Sequence, residues 1–144
     1  MNAQAPCPCG RTGDARGKPL AWGACCGRYV EHFDRQPAPD AESLMRSRYC
    51  AFVLERADYL LATWHPSRRP DTLDFDAGAR WLGLTVKSHR VVDATHAQVE
   101  FVARVRDAGG RATRLAEHSR FVREPDGAGV LRWYYLDALD GARA

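Results

Sequence analysis

Apolar residues in the first half of the chain recur every three to four positions, which is the period of a helix that buries one face. A helix is predicted from Ala41 to about Leu54, with Asp40 placed to cap its first turn. A second helix is predicted from Ala57 or Asp58 through Trp64, since Pro66 prevents its continuation. These two helices are expected to pack side by side as one layer.

The pattern changes to alternation of apolar and polar residues in the second half, as in strands with one buried face. Leu84 and Val86 begin it, and strands are predicted over about 98–106, 111–124 and 130–137, separated by Gly-rich turns. A short third helix is expected from Asp74 to Leu82. Helices followed by an antiparallel meander predict an α+β layer fold.

Four of the five cysteines form two close pairs near the start of the chain, Cys7 with Cys9 and Cys25 with Cys26. Four thiolates satisfy the tetrahedral preference of Zn²⁺ and leave no position for water or substrate. The sequence therefore predicts a structural zinc site that folds the N-terminus. The fifth cysteine, Cys50, falls in the helical pattern and is expected to be a packed thiol rather than a ligand.

Disulfide bonds are the competing interpretation of the four cysteines, and they require an oxidising compartment. Residues 1–6 lack the basic start and apolar run of a secretory signal, and no stretch approaches the ~20 apolar residues of a membrane span. A reduced, cytoplasmic protein with bound zinc is therefore expected.

Composition is that of an ordinary globular domain, with 45% hydrophobic and 27% charged residues among 144. The 21 basic and 18 acidic residues give a net charge of +3 without a block of like charge. This balance argues against a nucleic-acid surface. Aromatic residues at helix and strand spacing are likewise expected in the core rather than on a base-stacking surface.

The strand predicted over 111–124 places two polar residues on its apolar face. Glu117 and Ser119 alternate in step with Leu115 and Phe121, so they are expected to point toward the core. A buried carboxylate needs a partner. Glu117 is therefore either half of a structural ion pair, with Arg46 or Arg48 from the helix layer, or an acid in a pocket.

Other candidate pocket groups are His65, Arg46 and Tyr135. His65 directly precedes Pro66, where it is either an acid or base at a pocket mouth or a residue stabilised by the end of the helix dipole. No pairing of an acid with a base can be derived from the spacing. The sequence therefore names no reaction.

Seven runs of the chain are distinctive: Leu44–Val53, Ala57–Leu60, Thr63–Pro66, Trp81–Val86, Phe101–Arg104, Glu117–Phe121 and Trp133–Asp137. Together they resemble the uncharacterised bacterial YchJ proteins, and the resemblance covers nearly the whole chain. The resemblance implies a SEC-C zinc motif over residues 1–36 and a nuclear transport factor 2-like domain over 40–140. Such a domain is a cone of helices packed on a curved antiparallel sheet.

The SEC-C motif also occurs in the SecA translocation motor, and its ligand pattern matches Cys7, Cys9, Cys25 and Cys26. Fifteen residues separate the two pairs here, a longer loop than is usual in the motif. The resemblance implies that the zinc knuckle docks a protein partner. Domains of the cone type often form dimers, so a homodimer is also expected by analogy.

Two classes of function follow from these observations. The first is a binding or adaptor module whose knuckle docks a protein partner. The second is a small-molecule-binding protein or an enzyme whose cone pocket uses acid/base chemistry, with Glu117, Ser119, His65, Arg46 and Tyr135 as candidate groups. The sequence favours binding over catalysis, since its one strong chemical motif is a closed metal site.

Overall fold

A computed structural model describes residues 1–13 and 16–139, with three α-helices and a four-stranded sheet in that part of the chain. The helices are α1 (Gly27–Val30), α2 (Ala41–Val53) and α3 (Ala57–Ala62), and a 3-10 turn, Trp22–Ala24, precedes α1. The strands are β1 (Arg80–Val91), β2 (His96–Arg106), β3 (Ala112–Pro125) and β4 (Leu131–Ala138). They pair antiparallel in the order β1-β2-β3-β4. The predicted α+β fold is confirmed.

Helix α2 forms where the periodicity predicts it, for reasons that are local. The Asp40 carboxylate accepts a hydrogen bond of 2.7 Å from the backbone N–H of Ser43, which caps the first turn. Glu42 then pairs with Arg46 one turn later, at 2.9 Å. The helix ends at Val53, and Glu55 with φ of 54° turns the chain toward α3.

Helix α3 ends at Ala62, two residues earlier than predicted, because the chain leaves it to pair with the sheet. The backbone N–H of His65 donates to the Tyr135 carbonyl at 2.8 Å, and the N–H of Tyr135 donates to the Thr63 carbonyl at 2.9 Å. These bonds form a short parallel bridge between Trp64 and Tyr135 of β4. The helical layer is thereby joined to the sheet edge.

The predicted third helix over Asp74 to Leu82 is wrong. Strand β1 already begins at Arg80, and Trp81 pairs with Val105 of β2 before an irregularity in register at Gly83. The Trp81 ring lies edge-on to Tyr49 of α2, with centroids 5.7 Å apart. Pairing with the sheet and burial against α2 therefore override the local preference of the segment.

The core lies between the helices and the inner face of the sheet. Leu44 and Leu60 from the helices meet Val99 and Phe121 from the strands, and all four are almost fully buried. The N-terminal cysteines, Trp22 and Tyr29 belong to the same buried cluster. The knuckle and the cone thus share one continuous core. The predicted boundaries, 1–36 and 40–140, stay predictions, and the last predicted residue, Asp140, lies outside the described residues.

The segment between α1 and α2 is anchored to the far strand of the sheet. Arg132 of β4 donates to the carbonyls of Phe33, at 2.8 Å, and Asp34, at 3.3 Å. Its guanidinium lies 4.4 Å from the centre of the Phe33 ring, which also packs edge-on against Tyr59 of α3.

In the part of the chain that the structure describes, none of the helices has the length and apolar character that a membrane span requires.

Candidate functional site

The four predicted metal ligands come together at one point. The Sγ atoms of Cys7, Cys9, Cys25 and Cys26 all lie within 4.8 Å of one another, and all four side chains are buried. The Cys7–Cys9 separation is 3.6 Å and the Cys9–Cys25 separation is 3.7 Å. A tetrahedron with metal–sulfur bonds of ~2.3 Å has edges of about 3.8 Å. The cluster therefore has the size of a four-thiolate metal site.

The long loop between the two pairs is folded back as an irregular hairpin. Its arms meet at two isolated bridges, Pro6 with Ala21 and Thr12 with Pro19. The Gly10 N–H donates to the Cys7 carbonyl at 3.1 Å, and the φ of Gly10 is +76°, a backbone conformation that glycine adopts without strain. The longer loop therefore does not prevent the two cysteine pairs from meeting. Asp14 and Ala15, within this loop, lie outside the described residues.

Positive groups and N–H donors surround the cluster. The backbone N–H of Arg11 donates to the Cys9 sulfur at 3.4 Å. Arg46 donates to the Cys9 carbonyl at 3.1 Å, and Arg28 donates to the Cys25 carbonyl at 3.0 Å. Four thiolates around a divalent cation carry a net charge of about −2. With a metal bound, these contacts would offset that charge in a buried position.

The thiols polarise one another. Hydrogen bonds from Cys25 and Cys26 lower the pKa of Cys7 to about 4, and the same two neighbours lower the pKa of Cys9. The pKa of Cys26 is raised, first by its hydrogen bond with Cys25. A divalent cation binds thiolates, so it would displace any proton that the cluster retains.

Cys50 is buried as predicted, but its neighbours were not foreseen. Its Sγ atom lies 3.6 Å from that of Cys7, so a thiol of α2 touches the cysteine cluster. None of the five cysteines forms a disulfide in the described chain. The sequence signal for this contact is faint, since Cys50 is 43 residues away from Cys7 along the chain.

A second candidate site is a cavity of about 670 Å³ between the helices and the sheet. Most of its wall is aromatic or aliphatic. The apolar lining residues are Met45, Tyr49, Phe52, Trp64, Trp81, Phe101, Ala103, Leu115, Phe121, Tyr135, Leu136 and Ala138. The polar ones are Arg48, Arg68, Glu117, Ser119 and Asp137. A volume of this size and a mainly apolar lining are typical of sites for small organic molecules.

Three of the five predicted pocket groups meet in this cavity. Glu117 Oε1 accepts hydrogen bonds from the Ser119 hydroxyl at 2.9 Å and from the Tyr135 hydroxyl at 3.2 Å. The alternation along β3 correctly places Glu117 and Ser119 on the inner face. The carboxylate is thus held in a fixed position by two hydroxyl donors.

The other two predicted groups lie elsewhere. His65 Nε2 lies 2.9 Å from Glu124 Oε1, and its Nδ1 lies 2.7 Å from the Ser67 hydroxyl. Arg46 pairs with Glu42 and reaches the knuckle rather than the cavity. The structure therefore does not bring an acid and a histidine base together in the cavity.

Arg48 is the main charged residue of the cavity that the sequence did not single out as a binding group. Only 7% of its surface is exposed, and its Nη1 donates to the Leu60 carbonyl at 2.8 Å and the Thr63 hydroxyl at 2.7 Å. The guanidinium lies 5.3 Å from the Trp64 ring centre and 4.7 Å from that of Tyr135. Burial lowers the pKa of Arg48 to about 10, so it stays protonated at neutral pH.

Comparisons with known proteins agree with this fold. Residues 40–138 match the family described as "YchJ, middle NTF2-like domain". A UPF0225 protein from Polaromonas sp. (strain JS666) is 67% identical over 133 residues, 92% of this chain and 91% of that protein. A second one, from Bordetella pertussis, is 54% identical over 137 residues, 94% of this chain and 93% of that protein.

Two solved structures of SEC-C motif containing proteins superpose on most of the chain. The crystal structure from Psychrobacter arcticus has a TM-score of 0.77 at 35% identity, covering 94% of this chain and 82% of that one. The solution structure from Rhodopseudomonas palustris has a TM-score of 0.72 at 31% identity, covering 93% and 97%.

Proposed function

Starting from the fact that this chain belongs to the YchJ family, we propose that it is a small-molecule-binding protein whose N-terminal knuckle is held by structural zinc. The observation that carries the proposal is the cavity of about 670 Å³, which combines an apolar wall with a few buried polar groups. The cysteine cluster contributes architecture, because four thiolates close the coordination shell of the metal.

The proposed metal ligands are Cys7, Cys9, Cys25 and Cys26. Their soft donor set and tetrahedral size suit Zn²⁺ or an iron–sulfur centre, and zinc suits a site with a structural role. Metal analysis of the purified protein is expected to give one zinc per chain and none in Cys25→Ser. Acid-labile sulfide together with iron would contradict the assignment.

The binding proposal is tested first by native mass spectrometry of freshly purified protein, which detects a small molecule retained through purification. A matched pair of variants then locates it. Leu115→Trp places an indole ring in the cavity that Leu115 lines. Ala116→Trp is the control, because it adds the same ring at the adjacent position, on the opposite and exposed face of β3. Retained ligand, or stabilisation by an added aromatic compound, is expected to disappear in the first variant alone. Equal behaviour of the two variants would refute a site in this cavity.

The adaptor function expected from the knuckle stays a prediction. One side of the knuckle is already covered, because its cysteines and Tyr29 are buried in one cluster with α2 residues such as Leu44. A protein partner would therefore use the outer surface of the knuckle. A homodimer and a cytoplasmic location likewise stay predictions.

An enzymatic role stays the alternative within the same cavity. Glu117, oriented by Ser119 and Tyr135, is the group best placed for it. His65 is engaged by Glu124 and Ser67, and Asp137, which also lines the cavity, is paired with Arg120. Acid/base chemistry in the cavity would therefore depend on Glu117.

A further inference from the structure

The Arg48 guanidinium uses only one of its edges within the protein. A guanidinium carries five N–H donors, two of them on Nη1. In Arg48 the Nη1 atom donates to the Leu60 carbonyl and the Thr63 hydroxyl, and these two bonds fix the orientation of the group. Both acceptors are neutral, so neither compensates the positive charge.

The opposite edge, formed by Nε and Nη2, donates to none of the described residues. No carboxylate of the described chain lies within 4.0 Å of it, and Glu117 acts on Arg48 only over a longer distance. The described side-chain atoms that are sealed from solvent without a partner belong to Trp22, Trp64 and His89. The open edge of Arg48 is therefore accessible, and the space that it adjoins is the cavity that Arg48 lines.

A buried charge without an ionic partner is costly. The ring contacts with Trp64 and Tyr135 offset part of that cost. The Nε–Nη2 edge presents two parallel N–H groups, the geometry that matches the two oxygens of a carboxylate. A ligand carboxylate in the cavity would supply the missing charge and both acceptors.

Glu117 and Asp137 both line the cavity and would attract a cation, but Asp137 is already paired with Arg120 at 2.6 Å, so Glu117 is the main competitor. Its Oε1 atom already accepts hydrogen bonds from two hydroxyl donors, and these stabilise the ionised carboxylate. Arg48 gains more from a ligand of opposite charge than Glu117 does, because Arg48 is the more deeply buried of the two and its open edge retains three N–H donors. The cavity is therefore expected to select for negative charge.

We propose that the cavity binds an organic carboxylate with an apolar, ring-containing body, and that the carboxylate pairs with the Nε–Nη2 edge of Arg48. The body of the ligand packs among the aromatic side chains, including Phe52, Trp81 and Phe101. This inference rests on the proposed function and assigns the ligand class of the same cavity.

The test compares three probes that share one ring system and differ in charge: 2-naphthaleneacetate, the neutral 2-naphthaleneacetamide and the cation 2-naphthylmethylammonium. Titration calorimetry on the full chain at pH 7.5 is expected to rank them in that order. The acetate should bind roughly ten- to a hundredfold more tightly than the amide, the usual size of a bidentate charge-assisted contact. Equal affinities of acetate and amide, or a preference for the cation, would overturn the inference.

Variants assign the preference to Arg48. Arg48→Met keeps the length of the side chain and is expected to bring the acetate and amide affinities within threefold of each other. Arg68→Met is the matched control, since Arg68 also lines the cavity but is largely exposed, and it should leave the preference intact. Loss of the preference in Arg68→Met would overturn the role of Arg48.

Arg48→Lys covers the case in which Arg48→Met does not fold, because the lysine keeps the charge but lacks the two-pronged edge. It should retain a preference for the acetate but reduce it severalfold; an unchanged preference would overturn the bidentate contact. If all three probes bind equally and Leu115→Trp abolishes their binding, the proposal of a ligand-binding cavity holds and the proposal of a carboxylate ligand is refuted. If none of the three probes binds and native mass spectra show no retained ligand, both proposals are refuted.

Discussion

The Cys25→Ser substitution tests whether the knuckle and the cone unfold together. Removing one thiolate opens the proposed metal site and frees the loop that carries Trp22 and the helix α1 that carries Tyr29. Both rings are buried in the cluster that contains Leu44 and Met45 of α2. If the knuckle detaches, these rings and the face of α2 beneath them become exposed.

The size of the effect follows from the buried area. Trp22 is 1% and Tyr29 is 6% exposed. Two aromatic side chains bury ~400 Å² together, which corresponds to about 10 kcal/mol at ~25 cal/mol per Å². This is an upper bound, since part of the burial lies within the knuckle itself. It is nevertheless comparable with the ~5–15 kcal/mol that stabilises a whole domain.

The expected result is a single unfolding transition that moves down by at least ~10 °C, the shift that a loss of about 3 kcal/mol gives in a chain of this size. Circular dichroism would follow the sheet and the tryptophan environment in the same melt. Hydrogen exchange read by mass spectrometry should show faster exchange in β2 and β3 as well as in residues 1–36. Wild-type protection of the strands beside a freely exchanging N-terminus would refute the reasoning.

Cys50→Ser is the matched control for that experiment. It makes the same atomic change at a fully buried position outside the four proposed ligands. It should retain zinc and lose less stability than Cys25→Ser. Loss of the metal would instead show that the contact between Cys50 and Cys7 supports the site.

Three further predictions concern single contacts. Arg120 lowers the pKa of Asp137 below the ~3.9 of an unfolded chain, so this pair stabilises the fold fully above about pH 4 and ceases to do so as the pH falls through the folded-state value. Asp137→Asn should therefore cost at most about 1 kcal/mol at pH 7 and nothing near pH 2, measured by urea unfolding at both pH values; a constant difference would contradict this. Gly10→Ala should lower the free energy of unfolding by roughly 1–2 kcal/mol because of its φ of +76°, since nothing lies within 4 Å of the added methyl group. Gly127→Ala is the control, because its surroundings are equally open and its φ is not positive. It should leave the stability unchanged in the same assay. Arg132→Met removes the bonds to the carbonyls of residues 33 and 34 and should cost about 1–3 kcal/mol, with faster amide exchange over residues 31–39 as the specific sign.

Local patterns were sufficient to predict α2 and the strand meander. The Asp40 cap and the apolar spacing of α2 lie within one short segment, and glycines mark the turns that follow β2 and β3. The prediction failed at Asp74 to Leu82, where pairing of Trp81 with Val105 decides the structure. It also extended α3 too far, because Trp64 forms its bridge with Tyr135, which lies 71 residues further along the chain.

The candidate sites divide in the same way. The cysteine pairs are visible in the sequence because metal ligands of this type are close in sequence and few in number. Glu117 and Ser119 could be placed inside by strand parity. The sequence names Arg48 only as a possible counter-ion of Glu117. Its place in the cavity could not be predicted, since it depends on the Leu60 carbonyl of α3 and on the rings of Trp64 and Tyr135, which only the tertiary fold brings together.

The anchoring of Phe33 by Arg132 has a consequence for motion. Two prolines at 37 and 39 mark the segment before α2 as a break between the parts of the chain, and a linker of that kind would let two bodies reorient separately. Here Arg132 of β4 donates to the backbone carbonyl of Phe33, and the Phe33 ring packs against Tyr59 of α3. The knuckle and the cone should therefore tumble with one rotational correlation time, which nitrogen-15 relaxation measures. The knuckle surface would then keep a fixed orientation to the mouth of the cavity.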